Sequence, residues 1–186
     1  GIVGQNYGCV VGQCVNNADV FANDIAGGVA GYTRSYTVSS DGYIIGCKSS
    51  ADATITSDVY AGGIVGQVFQ DVKHYNTRSW VVGCVSESKI VAAYPATMIG
   101  YSSNATVTAC WAVKNGANVI AAYGTPINEA SFQYDAATDA TQADIDAMNA
   151  AIVAFNASPD NISIDGTVGA VMLKRWALVN GVPVLQ

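Results

Sequence analysis

A short apolar block that recurs along the first two thirds of the chain constrains the fold more than any other feature. Each copy ends in a glycine, and the four copies are Gly1-Ile2-Val3-Gly4, Gly28-Val29-Ala30-Gly31, Gly63-Ile64-Val65-Gly66 and Thr97-Met98-Ile99-Gly100. The closing glycines follow one another at intervals of 27, 35 and 34 residues. Periods of about 20 to 50 residues indicate a solenoid or another stacked array.

Further positions recur in step with the block and define a strand pattern. A strand-like segment ends in cysteine in every copy, at Cys14, Cys47, Cys84 and Cys110. After it come a small residue (Asn16, Ser49, Ser86, Ala112), a β-branched residue (Val20, Ile55, Ile90, Val119) and a bulky residue (Ile25, Tyr60, Tyr94, Tyr123). Equivalent side chains of parallel strands about 4.8 Å apart meet their own kind, and a thiol packs there as a small hydrophobe. We therefore expect residues 1–124 to form about four coils of a parallel β-solenoid, with the four cysteines in one inward ladder.

Residues 125–186 lack the repeat and are expected to form a C-terminal cap. Thr141 and Asp144 resemble a capping box, which predicts a helix over about 141–157. Its apolar face would consist of Ile145, Met148, Ile152 and Phe155. Strand-like runs follow at 162–164 and 168–173, and Asn180-Gly181 between apolar alternations predicts a β-hairpin that reaches residue 186. The predicted fold class is mainly β: a solenoid with a helix-plus-hairpin cap, in one continuous unit.

Composition and charge exclude two classes of partner. The net charge is −6 with only eight lysines and arginines, whereas nucleic-acid binding needs clustered basic residues. No apolar run approaches the roughly 18 residues of a membrane span, so we expect no membrane insertion in this segment.

The copies differ in length around 34–40 and 69–79, which places these stretches in loops outside the stack.

The residues that could support chemistry are few, and we expect no catalytic residue, no cofactor and no metal site. The one histidine, His74, lies in a polar stretch, and Cys9 and Cys14 lack the spacing of zinc ligands. The chain has five cysteines, an odd number, and disulfides are the usual state in secreted proteins; the equivalent places of Cys14, Cys47, Cys84 and Cys110 nevertheless favour buried free thiols. Asp and Glu side chains could serve glycan cleavage only if two of them faced one groove.

Aromatic residues supply the candidate binding site. If Cys110 points inward, strand alternation turns Trp111 outward, where an exposed ring could stack on a sugar or anchor a protein. The same alternation places Tyr43 and Trp80 on the cysteine side, in the core. Tyr32 and Tyr101 follow their block glycines and complete the candidate set with Trp111, although the sequence does not settle whether they are exposed.

The repeat blocks, followed by a cysteine strand, resemble the GLUG-motif repeats of secreted and surface proteins of bacteria, especially gut Bacteroidetes. The C-terminal part, with Met148-Asn149-Ala150-Ala151 and Asn180-Gly181-Val182-Pro183-Val184-Leu185, is similar to the tails of those proteins. The resemblance implies an extracellular, adhesin-like repeat segment and carries over no catalytic residue.

Three classes of function remain open. The first is a non-catalytic structural or adhesive scaffold at the cell surface, with a host or cell-surface protein or glycan as partner. The second is a carbohydrate-binding module, and the third is a polysaccharide-cleaving β-helix enzyme. Because the first block begins at Gly1, we also expect further repeats or a domain of the parent protein before it.

Overall fold

The computed structural model describes residues 1–34, 42–69, 79–103, 105–117, 119–124, 133–134, 139–157 and 174–186. In these ranges the protein is mainly β, and its parallel sheets of stacked strands are consistent with a β-helix-like fold. Most of the two predicted loops, His74 and the strand-like runs at 162–164 and 168–173 lie outside the described residues.

Each sequence repeat contributes strands in the same order. The first has β1 (Val3–Tyr7), β2 (Val10–Gly12), β3 (Val15–Asn16), β4 (Val20–Ala22) and β5 (Ile25–Gly27). The second has β6 (Ala30–Arg34), β7 (Gly42–Ile45), β8 (Lys48–Ser49), β9 (Thr54–Ser57) and β10 (Tyr60–Gly62). The third has β11 (Val65–Phe69), β12 (Ser79–Val82), β13 (Val85–Ser86), β14 (Lys89–Val91) and β15 (Tyr94–Ala96). The fourth has β16 (Ile99–Ser102), β17 (Ala105–Thr108) and β18 (Trp111–Ala112), and β19 (Ala121–Gly124) and β20 (Gln133–Tyr134) follow.

Equivalent strands pair in parallel, so five sheets run along the stack. Sheet A has the order β1-β6-β11-β16-β19, sheet B the order β17-β12-β7-β2, and sheet C the order β20-β18-β13-β8-β3. Sheet D consists of β14-β9-β4 and sheet E of β15-β10-β5. The register aligns the recurring residues as the sequence predicts, for example Ser49 with Ser86 and Ile55 with Ile90.

Two predicted equivalences in the last repeat are wrong. Val119 does not continue the row of Ile55 and Ile90, because it lies in a bend and its side chain is 46% exposed. Tyr123 does not follow Tyr94 in sheet E, because β19 pairs with β16 and sets Tyr123 opposite Tyr101 in sheet A. The spacing in this repeat differs from the others, so the counted positions no longer fall on the same sheets.

The interior is filled by the inward residues of the repeats. The main core consists of Val29, Ile44, Ile64, Val65, Val81, Cys84, Met98, Ile99 and their neighbours, almost all with no exposed surface. A smaller core between sheets D and E contains Ile55 and Ile90 with alanines. Burial of apolar side chains contributes about 1.5–3 kcal/mol each for a full-sized residue.

The glycines of the repeat block let neighbouring repeats approach closely. A Cβ atom on Gly66 would lie 2.6 Å from the carbonyl oxygen of Gly31 and 2.6 Å from a methyl group of Ile25. A Cβ on Gly28 would lie 2.1 Å from the carbonyl oxygen of Gly63. These distances leave no room for a side chain, which explains why glycine occupies these two positions of the block.

A residue with positive φ precedes each of the four cysteines of the ladder and turns the chain from sheet B into sheet C. These residues are Gln13, Gly46, Gly83 and Ala109, with φ of 53°, 59°, 56° and 47°. The turn interrupts strand alternation, so the parity counted back from cysteine fails. Tyr43 and Trp80 therefore lie outside the main core, on the outer face of sheet B, which corrects the prediction that they share the cysteine side.

The predicted helix is confirmed as α1 (Gln142–Ala157). At its start, the Asp144 amide donates to Thr141 Oγ1 at 3.3 Å and the Thr141 amide donates to Asp144 Oδ2 at 2.7 Å. This reciprocal pair satisfies two of the amide groups that a helix start leaves without partners. Ile145, Met148 and Ile152 are buried, as the apolar spacing predicts.

The predicted hairpin is confirmed as well. The strands β21 (Trp176–Val179) and β22 (Val182–Leu185) pair antiparallel across Asn180 and Gly181, whose φ angles are 52° and 78°. Two successive positive φ angles define the tight turn whose twist matches a hairpin, and Asn-Gly is the pair that adopts it most readily.

The helix and hairpin lie against the side of the stack. Ile152, Met148 and Trp176 pack on the outward residues Ile45 and Val82 of sheet B and on Val85 and Trp111 of sheet C. The Gln13 side chain exchanges hydrogen bonds with the main chain of Lys174 at 2.8 and 2.9 Å, which ties the segment to the first repeat. The C-terminal part thus covers parts of sheets B and C across several repeats.

Candidate functional site

The outer face of sheet A carries two rows of outward side chains. One row contains Gln5, Tyr32, Gln67 and Tyr101, which the register places opposite one another on β1, β6, β11 and β16. The second row contains Tyr7, Arg34 and Phe69 on the first three of these strands. Between the two rows, Asn6, Thr33 and Val68 point into the interior and are buried. The rows therefore form one surface on the outside of the stack.

The adjoining sheet E extends this surface with two more tyrosines. Tyr60 and Tyr94 are register neighbours, and their rings stack with centroids 5.2 Å apart. Tyr60 also meets Tyr101 edge to face at 5.5 Å, which joins the two sheets. On the other side of the surface, Tyr7 and Tyr32 meet edge to face at 6.1 Å. We name the set Tyr7, Tyr32, Tyr60, Phe69, Tyr94 and Tyr101 the aromatic surface.

A groove of about 460 Å³ opens at the end of the aromatic surface nearest β1. Gly4 and Gly31 line it together with the rings of Tyr7 and Tyr32. The remaining lining residues are Gln5, Ala22, Asn23, Asp24 and Ile25. The groove therefore combines aromatic rings with amide and carboxylate groups, which is typical of sites that bind polar ligands.

Arg34 provides a positive charge on this surface. Arg34 lies over the ring of Phe69, with the guanidinium carbon 5.3 Å from the ring centroid, an arrangement that favours a cation–π contact. Partial burial raises the pKa of the Tyr32 phenol, with an opposing effect of Arg34, so the phenol stays neutral at physiological pH. A neutral hydroxyl both donates and accepts a hydrogen bond.

The candidate residue Trp111 does not belong to this surface. It points away from the main core, in register with Val85 and Lys48, as the sequence predicts. However, it is only 4% exposed because the C-terminal helix and hairpin cover it. The prediction of an exposed Trp111 is therefore wrong. Tyr32 and Tyr101, the other two candidates, lie in the same row of sheet A.

The sequence interpretation did not identify four residues of this surface as site residues: Tyr7, Tyr60, Phe69 and Tyr94. Tyr60 and Tyr94 were visible there as a recurring bulky position, but nothing indicated that this position lies beside Tyr101. Tyr7 and Phe69 stand at equivalent places two residues after Gln5 and Gln67, so a search for recurring aromatics after the block glycine would have found them.

A second, apolar groove of about 230 Å³ lies between helix α1 and sheet B. Its walls include Tyr43, Trp80 and Phe155, with the Tyr43 and Phe155 rings edge to face at 4.8 Å. Phe155 is only partly buried because it lines this groove. Ile145, Met148 and Ile152, on the same face of the helix, are buried.

Four cysteines, Cys14, Cys47, Cys84 and Cys110, form a row inside the stack, and these and the exposed Cys9 are free thiols. The Cys14 amide donates to Cys47 Sγ at 3.5 Å, and the Cys84 amide donates to Cys110 Sγ at 3.3 Å. Cys47, Cys84 and Cys110 are fully buried, while Cys14 is only partly buried because it precedes the edge strand β3. Burial raises the pKa of the Cys84 thiol well above its ordinary value and raises that of Cys14.

The described part of the chain shows no group of three or more His, Cys, Asp and Glu side chains placed to hold a metal ion. Within the same residues, no helix combines the length and apolar character needed to cross a bilayer. Among the residues that line the groove beside β1, Asp24 contributes the carboxylate. Comparisons with protein-family models, with curated proteins and with solved structures find no match to this chain.

Proposed function

We propose that this chain is a non-catalytic segment of an extracellular bacterial surface protein and acts as an adhesive scaffold. In this proposal residues 1–124 form about four coils of a β-solenoid, and residues 125–186 form its C-terminal cap. The GLUG-like repeat pattern supports the extracellular, bacterial assignment. The partner is a protein or a glycan of a host or neighbouring cell.

The single observation that carries the adhesive role is the aromatic surface. Six aromatic side chains from sheets A and E meet on one outer face, and Tyr7 and Tyr94 are 43% and 46% exposed. Aromatic residues are enriched where proteins bind partners because their rings contribute large contact area at a low entropy cost. The residues that recur most strictly are small or branched and fill the interior, so they support a stacking role.

A cell-binding assay tests the proposal. The labelled chain is expected to bind cell surfaces, and replacing both Tyr32 and Tyr101 by serine is expected to reduce this binding severalfold. The matched control is Phe21→Ser, because Phe21 is 71% exposed on sheet D and does not belong to the aromatic surface. Equal binding by the wild type and the double variant would refute the role of this surface.

A carbohydrate-binding module is the second candidate, and the groove beside β1 favours it. The groove places Tyr7 and Tyr32 next to Asn23 and Asp24, and sugars are bound by rings against their apolar faces and by polar groups at their hydroxyls. The third class, glycan cleavage, needs two carboxylates on one groove. Incubation with polysaccharide libraries is expected to give no products, and turnover that Asp24→Asn abolishes would overturn the non-catalytic assignment.

A further inference from the structure

We propose that the outer face of sheet A binds an extended, neutral, β-linked glycan that runs across the strands, along the stack. Tyr32 and Tyr101 contact alternate sugar rings, and Gln5 and Gln67 hydrogen-bond the sugars next to them. The inference rests on the proposed function, because it names the partner of the same aromatic surface.

The alternation of side chains across sheet A is the first argument. Gln5, Tyr32, Gln67 and Tyr101 follow one another on four adjacent strands, so an aromatic ring and a carboxamide alternate with a period of two strands. Parallel strands lie about 4.8 Å apart, and two tyrosines separated by two strands are therefore about 10 Å apart. An extended β-linked glycan advances by a similar length for every two sugars and turns alternate rings to opposite sides.

The chemistry of the row matches such a chain. A sugar ring places C–H groups on its faces and hydroxyl groups around its rim. Tyrosine rings pack against the C–H faces, and carboxamide groups exchange hydrogen bonds with the hydroxyl groups. Tyr60 and Tyr7 hold the two stacking rings from the side, by edge-to-face contacts with Tyr101 and Tyr32. These contacts restrict the ring orientations before the ligand arrives, which lowers the entropy cost of binding.

The groove at the β1 end adds polar groups beside the row. Gly4 and Gly31 line it beside Tyr32, and among the described residues other than its chain neighbours none lies within 4 Å of the position of a Cβ on Gly4. Asn23 and Asp24 line the same groove and provide further polar groups. The row and the groove are continuous because Gln5 and Tyr32 belong to both.

A protein partner fits the row less well than a glycan does. Added β-strands bind to sheet edges through unpaired main-chain groups, whereas the row lies on a face whose strands are already paired on both sides at β6 and β11. The chain carries a net charge of −6, which favours a neutral glycan over an anionic one.

The test is calorimetric titration with cello-oligosaccharides of two, four and six sugars. We expect the affinity to rise about tenfold or more from the disaccharide to the tetrasaccharide, because the second tyrosine is reached only by the longer chain. Tyr32→Ala and Tyr101→Ala are each expected to weaken tetrasaccharide binding about three- to tenfold and to remove the dependence on length. Gln67→Ala is expected to weaken it about threefold or more without altering a ring contact.

Two controls keep the outcomes distinct. Phe21→Ala is expected to leave the affinity unchanged, and the malto-oligosaccharides of the same lengths, which coil, are expected to bind more weakly. Equal affinity for the two shortest ligands, or no effect of either tyrosine variant, would overturn the glycan assignment. If no oligosaccharide binds while cell binding still depends on Tyr32 and Tyr101, this inference fails and the adhesive function stands.

Discussion

Trp176 donates its indole N–H to the main-chain carbonyl oxygen of Gly83 at 2.7 Å, and both residues are buried. The bond links the C-terminal hairpin to the turn between sheets B and C. Asn149 of helix α1 holds Trp176 from the other side, with its side chain bonded to the main chain of Trp176 at 2.8 and 2.9 Å. Trp176 therefore connects the hairpin, the helix and the stack.

The first prediction follows from this bond. Trp176→Phe removes the donor and leaves the carbonyl of Gly83 buried without its partner, so we expect a loss of about 1–3 kcal/mol in the free energy of unfolding. Urea denaturation followed by circular dichroism measures it. Val179→Ala on the same strand is the control, since Val179 is 40% exposed and should change stability by about 0.5 kcal/mol or less. A Trp176→Phe variant as stable as the control would contradict the assigned bond.

The second prediction compares two glycines at the same place in the repeat. A Cβ on Gly66 would meet Gly31 and Ile25 at 2.6 Å, whereas a Cβ on Gly4 would meet none of the described residues within 4 Å apart from its chain neighbours. Gly66→Ala is therefore expected to destabilise the protein by about 3 kcal/mol or more, and Gly4→Ala by about 0.5 kcal/mol or less. Thermal unfolding of the two variants measures the difference. Equal effects would show that close approach of the repeats does not dictate glycine here.

The third prediction concerns thiol reactivity. Cys9 and Cys14 are expected to react with a disulfide reagent in the native protein, while Cys47, Cys84 and Cys110 react only after unfolding. Because burial raises the pKa of Cys14, its thiolate fraction is low near neutral pH, and its rate should still be rising above the pH at which an ordinary thiol levels off. Mass mapping of labelled cysteines between pH 7 and 10 measures this, with Cys14→Ser to assign the signal. Native labelling of Cys84 as fast as that of Cys9 would contradict the buried row.

The fourth prediction concerns the ion pair between Lys48 and Glu87. Lys48 Nζ lies 2.7 Å from Glu87 Oε2 and donates to the carbonyl oxygen of Pro183 at 3.1 Å, and the two side chains are 13% and 9% exposed. Lys48→Met leaves the largely buried Glu87 carboxylate without its cationic partner. We therefore expect a loss of about 1–3 kcal/mol in the free energy of unfolding.

The double variant Lys48→Met with Glu87→Met is the matched comparison. It removes both charges, and we expect it to be more stable than the single variant because no unpaired carboxylate remains. Urea denaturation of the wild type, the two single variants Lys48→Met and Glu87→Met, and the double variant measures the coupling. A double variant that loses the sum of the two single effects would show that the ion pair does not connect the second and third repeats.

The sequence by itself determined the elements whose signals are local or strictly periodic. The spacing of block glycines and cysteines predicts the parallel register, because stacked equivalents must fill the same space. Thr141 with Asp144 predicts the helix start, and Asn180-Gly181 predicts the hairpin, because each motif satisfies its own backbone groups within a few residues. The alternation of side chains along a strand also predicted that Trp111 points away from the cysteine ladder.

Only the tertiary structure decided what becomes of the outward residues. Trp111 is buried because the helix and hairpin return to cover sheets B and C, and nothing near Trp111 in the sequence signals this return. Tyr43 and Trp80 lie outside because a positive φ at Gly46 and Gly83 breaks the alternation on which their placement was based. The aromatic surface likewise depends on sheets A and E meeting side by side, which brings Tyr60 to Tyr101 across 41 positions of sequence. Alternation within a single strand predicts which face a residue occupies, whereas the packing of distant segments determines whether that face meets solvent.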